Sequence, residues 1–254
     1  MKTIMLFLIG ILSGNLLFAQ GSIFVTSGAI EYTRSVNMYA IARESMPPEG
    51  NAFRTTYEQA FDNYKKNQPQ FGLVKSTLVF ANNKTLFTPA TTDNVVAFMA
   101  SNAAVKQYNT VYTDLSQGKR VVQKDIIDEH YLLTDSLSKI TWKIIGGNEE
   151  VAGYSCREAH GLIQDSIYIV AFYTDKIRTN GGPESFSGLP GMILKLVLPH
   201  EHITWTATKV IQGFPATPQP PKKGKPVTSE ELNNIIMKTW SGRNNSTNVK
   251  FYLL

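Results

Sequence analysis

Period-two alternation is the feature that most limits how this chain can fold. From residue 30 to residue 211, short runs place apolar side chains on alternate positions with polar ones between them. Such a run separates a core face from a water face only as a β-strand, because successive strand side chains point to opposite sides. In Ile30-Glu31-Tyr32-Thr33-Arg34-Ser35-Val36-Asn37-Met38 the even positions are apolar, with Arg34 the exception. Residues 77–80 and 84–87 flank Asn82-Asn83, a tight-hairpin signal. Residues 110–114 and 120–124 flank Ser116-Gln117-Gly118, a second one. The series continues at 131–134, 140–145 and 154–163. Residues 167–173 are apolar on both parities, as in a central strand covered on both faces.

Two segments keep a helical period instead. In 51–66, Phe53, Tyr57, Ala60, Phe61 and Tyr64 form one apolar stripe. In 228–240, Leu232, Ile235, Ile236 and Trp240 do the same, and Thr228 with Glu231 makes a capping box. A proline- and lysine-rich connector, 215–226, leads into that helix, and 94–107 reads as either a short helix or a loop. The expected class is α+β, mostly antiparallel β. We expect a curved antiparallel sheet with a helix from the N-terminal half and a C-terminal helix packed on it.

The chain begins with Lys2, an apolar run over 4–18 and the small residue Ala19, which reads as a signal peptide over 1–20. Residues 21–254 are then one β-rich domain, with no later stretch apolar enough to span a bilayer. The expected location is periplasmic or secreted. Cys156 is the only cysteine, so no disulfide can form within the chain, and a buried structural thiol is the simplest reading. Lys222, Lys223 and Lys225 sit among prolines with no aromatic partners, which argues against nucleic-acid binding.

GGPESFSGLPGMILKL, 181–196, is the least ordinary stretch. Pro190-Gly191 suits the two central positions of a type II turn, with Gly191 at positive φ. Gly181-Gly182-Pro183 bends the chain upstream. Met192, Leu194, Leu196 and Leu198 then share one strand face, and 203–211 returns beside it. The loop is therefore a rigid corner feeding a hairpin. A phosphate loop would need a lysine and a following helix, and a nucleophile elbow would need G-x-S-x-G around Ser187; neither is present. Pro183, Phe186, Gly188, Leu189, Pro190 and Gly191 form the candidate binding loop. Phe186, Leu189 and Pro190 have two possible fates: an exposed apex that contacts a ligand or partner, or a plug that closes the core, the plug being the slightly commoner outcome.

GLPGMI, 188–193, is one substitution from the hexapeptide that names the GLPGLI family, exported proteins of Gram-negative bacteria with no established activity. Trp142, Gly153-Tyr154, Cys156, Ala159, Ala171-Phe172-Tyr173-Thr174, Gly182-Pro183 and Phe186 resemble that family's landmarks over about 140–198. Met192 and Phe172 depart from the usual leucine and tryptophan but stay apolar. The resemblance implies export and brings no catalytic residues.

No local constellation carries chemistry outright. His200 and His202 flank Glu201, and in an extended segment the imidazoles would lie roughly 6.6 Å apart, but a polar hairpin tip explains them more simply. Cys156 and His160 share a parity at about 13 Å, too far to chelate together. His130 stands beside Asp128 and Glu129; with Asp125 and with Glu149-Glu150 these read as solvated edges. We therefore expect no catalytic set, no metal and no cofactor. The functional expectation is a non-catalytic binding protein of the cell envelope, taking an apolar ligand or a protein partner. The alternatives are a hydrolase-type site assembled from distant residues, and a structural envelope component.

Overall fold

The structure, a computed structural model, describes residues 24–90, 109–126, 129–163, 167–213 and 216–240. The expected leader, the 94–107 segment and the Trp240 side chain lie outside the described residues. The described residues form one open sheet of twelve strands, in the order β12-β6-β5-β4-β3-β2-β1-β11-β10-β9-β8-β7. All neighbours are antiparallel except β12 and β6. The fold is more strand-rich than an α+β label implies, with three helices among the described residues.

Two meanders build the sheet. One runs through β1 (Gly28–Asn37), β2 (Phe71–Ala81), β3 (Lys84–Pro89), β4 (Thr110–Asp114), β5 (Lys119–Ile126) and β6 (Glu129–Ser136). The other runs through β7 (Thr141–Val151), β8 (Tyr154–Ile163), β9 (Ile167–Thr174), β10 (Met192–Leu198) and β11 (Ile203–Gln212). They join where β1 pairs with β11, Arg34 opposite Trp205. Asn82 and Asn83 both adopt positive φ, 53° and 56°, as the hairpin signal between β2 and β3 predicted.

The sheet is strongly curved. β7 and β11 are four places apart in strand order yet touch. In a flat sheet they would stand about 19 Å apart. Gln212 Nε2–H, at the end of β11, reaches the Tyr154 hydroxyl at the start of β8 at 3.2 Å. The concave side holds Ile30, Tyr32, Leu78, Phe80, Phe87, Ile169, Leu194 and Leu196, all essentially without exposure.

α1 (Met38–Glu44) begins where the β1 alternation stops, capped by the Asn37 side chain, which accepts from Ala40 N–H. α2 (Arg54–Asn67) packs on α1 through Phe61 and Tyr64, each edge-on to Tyr39 at 6.0 Å. Of the expected stripe only Phe61 and Tyr64 are buried: Phe53 and Tyr57 are 68% and 42% exposed, because α1 covers only the C-terminal turns of α2. α3 (Ser229–Trp240) rests on β6 through buried Leu232 and Ile236. Its capping box forms as expected, with Glu231 N–H donating to Thr228 Oγ1 at 3.2 Å and Thr228 N–H donating to Glu231 Oε2 at 2.8 Å. The connector before it supplies β12 (Lys225–Val227), a three-residue parallel edge that sequence reading missed. Among the described residues no helix is long and apolar enough to cross a membrane.

Candidate functional site

The loop between β9 and β10 lies across the concave face. Phe186 and Leu189 are 6% and 1% exposed, and Pro183 and Gly191 are buried as well. Only Gly188 and Pro190 of the candidate residues reach solvent. The loop is therefore a plug, and the exposed-apex arrangement is not the one adopted. Phe186 packs on Trp205 with ring centroids 6.1 Å apart. Trp142 Nε1–H donates to the Ser187 carbonyl at 3.0 Å, tying β7 to the loop from the other side.

The corner at Pro190 is tighter than the expected type II turn. Gly191 N–H donates to the Leu189 carbonyl at 2.8 Å, which closes a three-residue turn about Pro190. Gly191 does hold positive φ, at 147°. A Cβ there would lie 2.1 Å from the Thr174 carbonyl oxygen, so the chain passes where only glycine fits.

Beneath the loop the concave face is polar. Arg34 and Trp205 are cross-strand neighbours, with the guanidinium 5.6 Å from the indole centroid. Ser76 lies on the next strand, facing the same side as buried Val74 and Leu78. Asn109 precedes β4 beside Lys124 of β5, and both are buried. Lys124 pairs in register with Tyr131 of β6. Arg120, four residues before Lys124 on the same face of β5, donates from Nη1 to Ser185 Oγ at 3.0 Å and approaches Asp135 at 3.7 Å. Asp135 in turn accepts from the Ser229 hydroxyl of α3 at 2.6 Å.

Glu184 descends from the loop into this row. Its φ of 52° is a conformation that non-glycine residues rarely hold. Burial pushes its carboxyl up to about 7, against the pull of Arg34, Lys124 and the Asn109 hydrogen bond. Burial likewise pulls Lys124 down to about 8; Glu184 opposes that shift and Arg120 adds to it. The residue as a whole is partly exposed, but Glu184 Oε2 is buried without a hydrogen-bond partner in the protein. Ser76 Oγ, Trp205 Nε1 and Arg120 Nε share that condition. A buried polar atom left unmatched costs about 1–3 kcal/mol.

A second arrangement lies on the opposite face. His160 is held between Glu158 Oε1, 2.6 Å from Nε2, and the Tyr168 hydroxyl, 2.8 Å from Nδ1. With the proton on Nε2 donated to Glu158, Nδ1 accepts from Tyr168. Gly147 in the β7 bulge leaves room for this carboxylate, since a Cβ there would sit 2.5 Å from Glu158 Oε2.

The remaining sequence candidates stay apart. His200 and His202 occupy a four-residue turn rather than a strand; His200 is exposed and His202 bonds Glu44 at 2.7 Å. His130 bonds Asp125 at 2.6 Å in an exposed position. Glu149 takes Lys195 at 2.7 Å. Among the described residues no three of His, Cys, Asp and Glu are placed to hold a metal ion. Cys156 is fully buried, and burial pushes its thiol up to about 12. Labelling by a disulfide reagent at pH 8 should be roughly a thousandfold slower for native than for denatured protein. Rapid native labelling would show that the β8 thiol is reachable.

A family model described as "Protein of unknown function (Porph_ging)" matches residues 83–195, a span that includes the loop, Asn109, Arg120, Lys124 and Glu184. No curated protein matches the chain. Two solved structures of PNGF-II share its fold. The structure in the P21 space group has a TM-score of 0.52 at 16% identity and covers 84% of this chain and 34% of that one. The structure in the C2 space group has a TM-score of 0.53 at 15% identity and covers 84% and 33%. This chain thus spans about a third of the length of PNGF-II. The likeness at this identity is one of fold: a twelve-stranded open sheet, matched over residues 83–195 by a family of unknown function and over most of its length by part of PNGF-II.

Proposed function

We propose that this chain is an exported, non-catalytic binding protein of the cell envelope, with its ligand site on the polar row beneath the 181–191 loop. One observation carries the reading: four buried polar atoms from four separate segments, Ser76 Oγ, Arg120 Nε, Glu184 Oε2 and Trp205 Nε1, lack a partner within the protein and belong to residues of one concave surface. Groups retained at such a cost, beside strained backbone and shifted titrations, mark binding sites more often than they mark stability. The ligand is small and polar rather than apolar, because Phe186 and Leu189 are consumed by the core. The GLPGMI resemblance and the Lys2-to-Ala19 leader support export to the periplasm or beyond.

The test is a thermal-shift panel of small anions, amines and neutral polyols on the wild type and on Ser76→Ala/Trp205→Phe. At least one class should raise the wild-type melting temperature. The double variant should lose that response whatever its own melting temperature, since Trp205→Phe removes the indole N–H together with ring volume packed against Phe186 and Arg34. A variant that is destabilised, with no class acting on either protein, would show that the row is structural. A catalytic reading is favoured by the Glu158–His160–Tyr168 relay alone. Consumption of a panel compound by wild type and not by His160→Ala would move the conclusion there.

A further inference from the structure

We propose that Tyr168 is an acyl acceptor: its phenol, with His160 as base and Glu158 holding that base, takes one acyl group from an activated donor, a thioester or aryl ester. The trio lies on the face of the sheet away from the 181–191 loop, so the inference does not rest on the binding reading above. One group per chain is loaded, without turnover.

Strand register gathers the residues. β7, β8 and β9 lie side by side at one end of the sheet. Leu162 pairs with Thr141 on one side and Tyr168 on the other, and His160 pairs with Lys143 and Val170. Paired residues of antiparallel strands share a face, as do positions two apart on one strand. Lys143, Glu158, His160, Leu162 and Tyr168 therefore stand on one surface. The Tyr168 hydroxyl lies 2.8 Å from His160 Nδ1, with the two rings edge-on at 5.6 Å, and Glu158 Oε1 lies 2.6 Å from Nε2. Nucleophile, base and orienting group thus follow one another at hydrogen-bond distance, the arrangement that activates a hydroxyl.

Regular strand geometry would hold the Glu158 and His160 side chains apart and parallel, about 6.6 Å from root to root. The bulge in β7 gives the carboxylate room to lean onto the ring. The register with β8 shifts between Ile144 and Asn148, and Gly147 lacks the Cβ that would sit 2.5 Å from Glu158 Oε2. The site is reachable: the Glu158 and His160 side chains keep 27% and 29% of their surface, and Tyr168 is half-buried. Leu162, 48% exposed and paired with Tyr168, offers an apolar contact for the acyl chain. Lys143, across from His160, places a cation on the face where the carbonyl oxygen becomes negative.

A lone pair of the Tyr168 oxygen forms the bond to the acyl carbon, its proton passes to Nδ1, and the carbonyl π pair moves onto oxygen. Glu158 stabilises the imidazolium through Nε2–H. Collapse restores the carbonyl and breaks the bond to the leaving group, which takes the proton from Nδ1. Donor and phenol become aryl ester and thiol, with no change in oxidation state. The donor class follows from the leaving groups. Thiols, ordinarily near pKa of about 8.5, leave more readily than phenols, about 10, whereas the far more basic alkoxide of an alkyl ester does not.

Native protein is incubated with p-nitrophenyl acetate, with S-acetyl-N-acetylcysteamine or with ethyl acetate, and the acetyl group is located by peptide mass spectrometry. The first two donors should acetylate Tyr168 about a hundredfold faster than Tyr57, an exposed tyrosine of α2, and ethyl acetate should label neither. His160→Asn should slow the reaction at Tyr168 about a hundredfold, and Glu158→Gln about tenfold. The ratio of Tyr168 to Tyr57 in wild type decides the matter even if a variant fails to fold. Equal rates at the two tyrosines, an unchanged rate in His160→Asn, or acetyl on Lys143 in place of Tyr168 would overturn the assignment and leave the trio as a structural clasp between β8 and β9. Labelling of Tyr168 by ethyl acetate would overturn the donor class alone.

Discussion

Gly191→Ala should lower stability by about 4 kcal/mol, combining backbone strain at positive φ with a steric clash against main chain. For a domain of this size that is a fall of roughly 10 °C in melting temperature. The added methyl would meet Thr174 O at 2.1 Å and Thr174 C at 2.7 Å, atoms of β9 held in the sheet and unable to step aside. Gly213→Ala is the matched control. That glycine also holds positive φ, 78°, but a Cβ there would meet nothing within 4 Å. The control should cost only about 1 kcal/mol. Equal melting curves for the two variants would show that β9 and the loop are not in close approach.

Leu189→Ser should be comparably severe, at about 4 kcal/mol, for a different reason. Leu189 is among the largest fully buried side chains of the chain, and serine there leaves a cavity lined by the core and a hydroxyl with no partner. Denaturant unfolding measures the loss directly. Were Leu189 an exposed contact residue, the change would leave the unfolding midpoint within about 0.5 kcal/mol of wild type. The same substitution therefore separates plug from apex in solution.

The strands were legible because their period is local. β3, β4, β5, β8, β9, β10 and β11 fall where alternation placed them, and the Asn82-Asn83 and Thr228-Glu231 signals act through backbone chemistry within four residues. The first half of β2 was not, since Phe71 and Leu73 put apolar side chains on its solvent face and blur the alternation. α1 is seven residues long, too short to show a helical period. The site left a faint signal. Arg34 stands on the apolar parity of β1, and Lys124 does the same between Val122 and Ile126. A charge on a core-facing position needs a partner, but a strand pattern cannot say from where. Glu184 sits in a loop with no period at all, and its meeting with Arg34 depends on how the two meanders close over each other.

The pairing of β1 with β11 sets the order in which the molecule can assemble. Thr208 Oγ1–H donates to the Glu31 carbonyl across 177 residues of chain, whereas every other antiparallel neighbour within either meander follows its partner directly in sequence. Hairpins with short connections form early, and a contact this distant has to wait until both halves exist, so we expect it among the late steps of folding, followed in synthesis by the docking of β12 and α3 on β6. Arg34 and Trp205 flank that seam, and the charged row is built across it. On the proposed binding reading, neither half of the polypeptide would carry a usable site on its own, and a ligand holding the two sides together would stabilise this join rather than any part that precedes it.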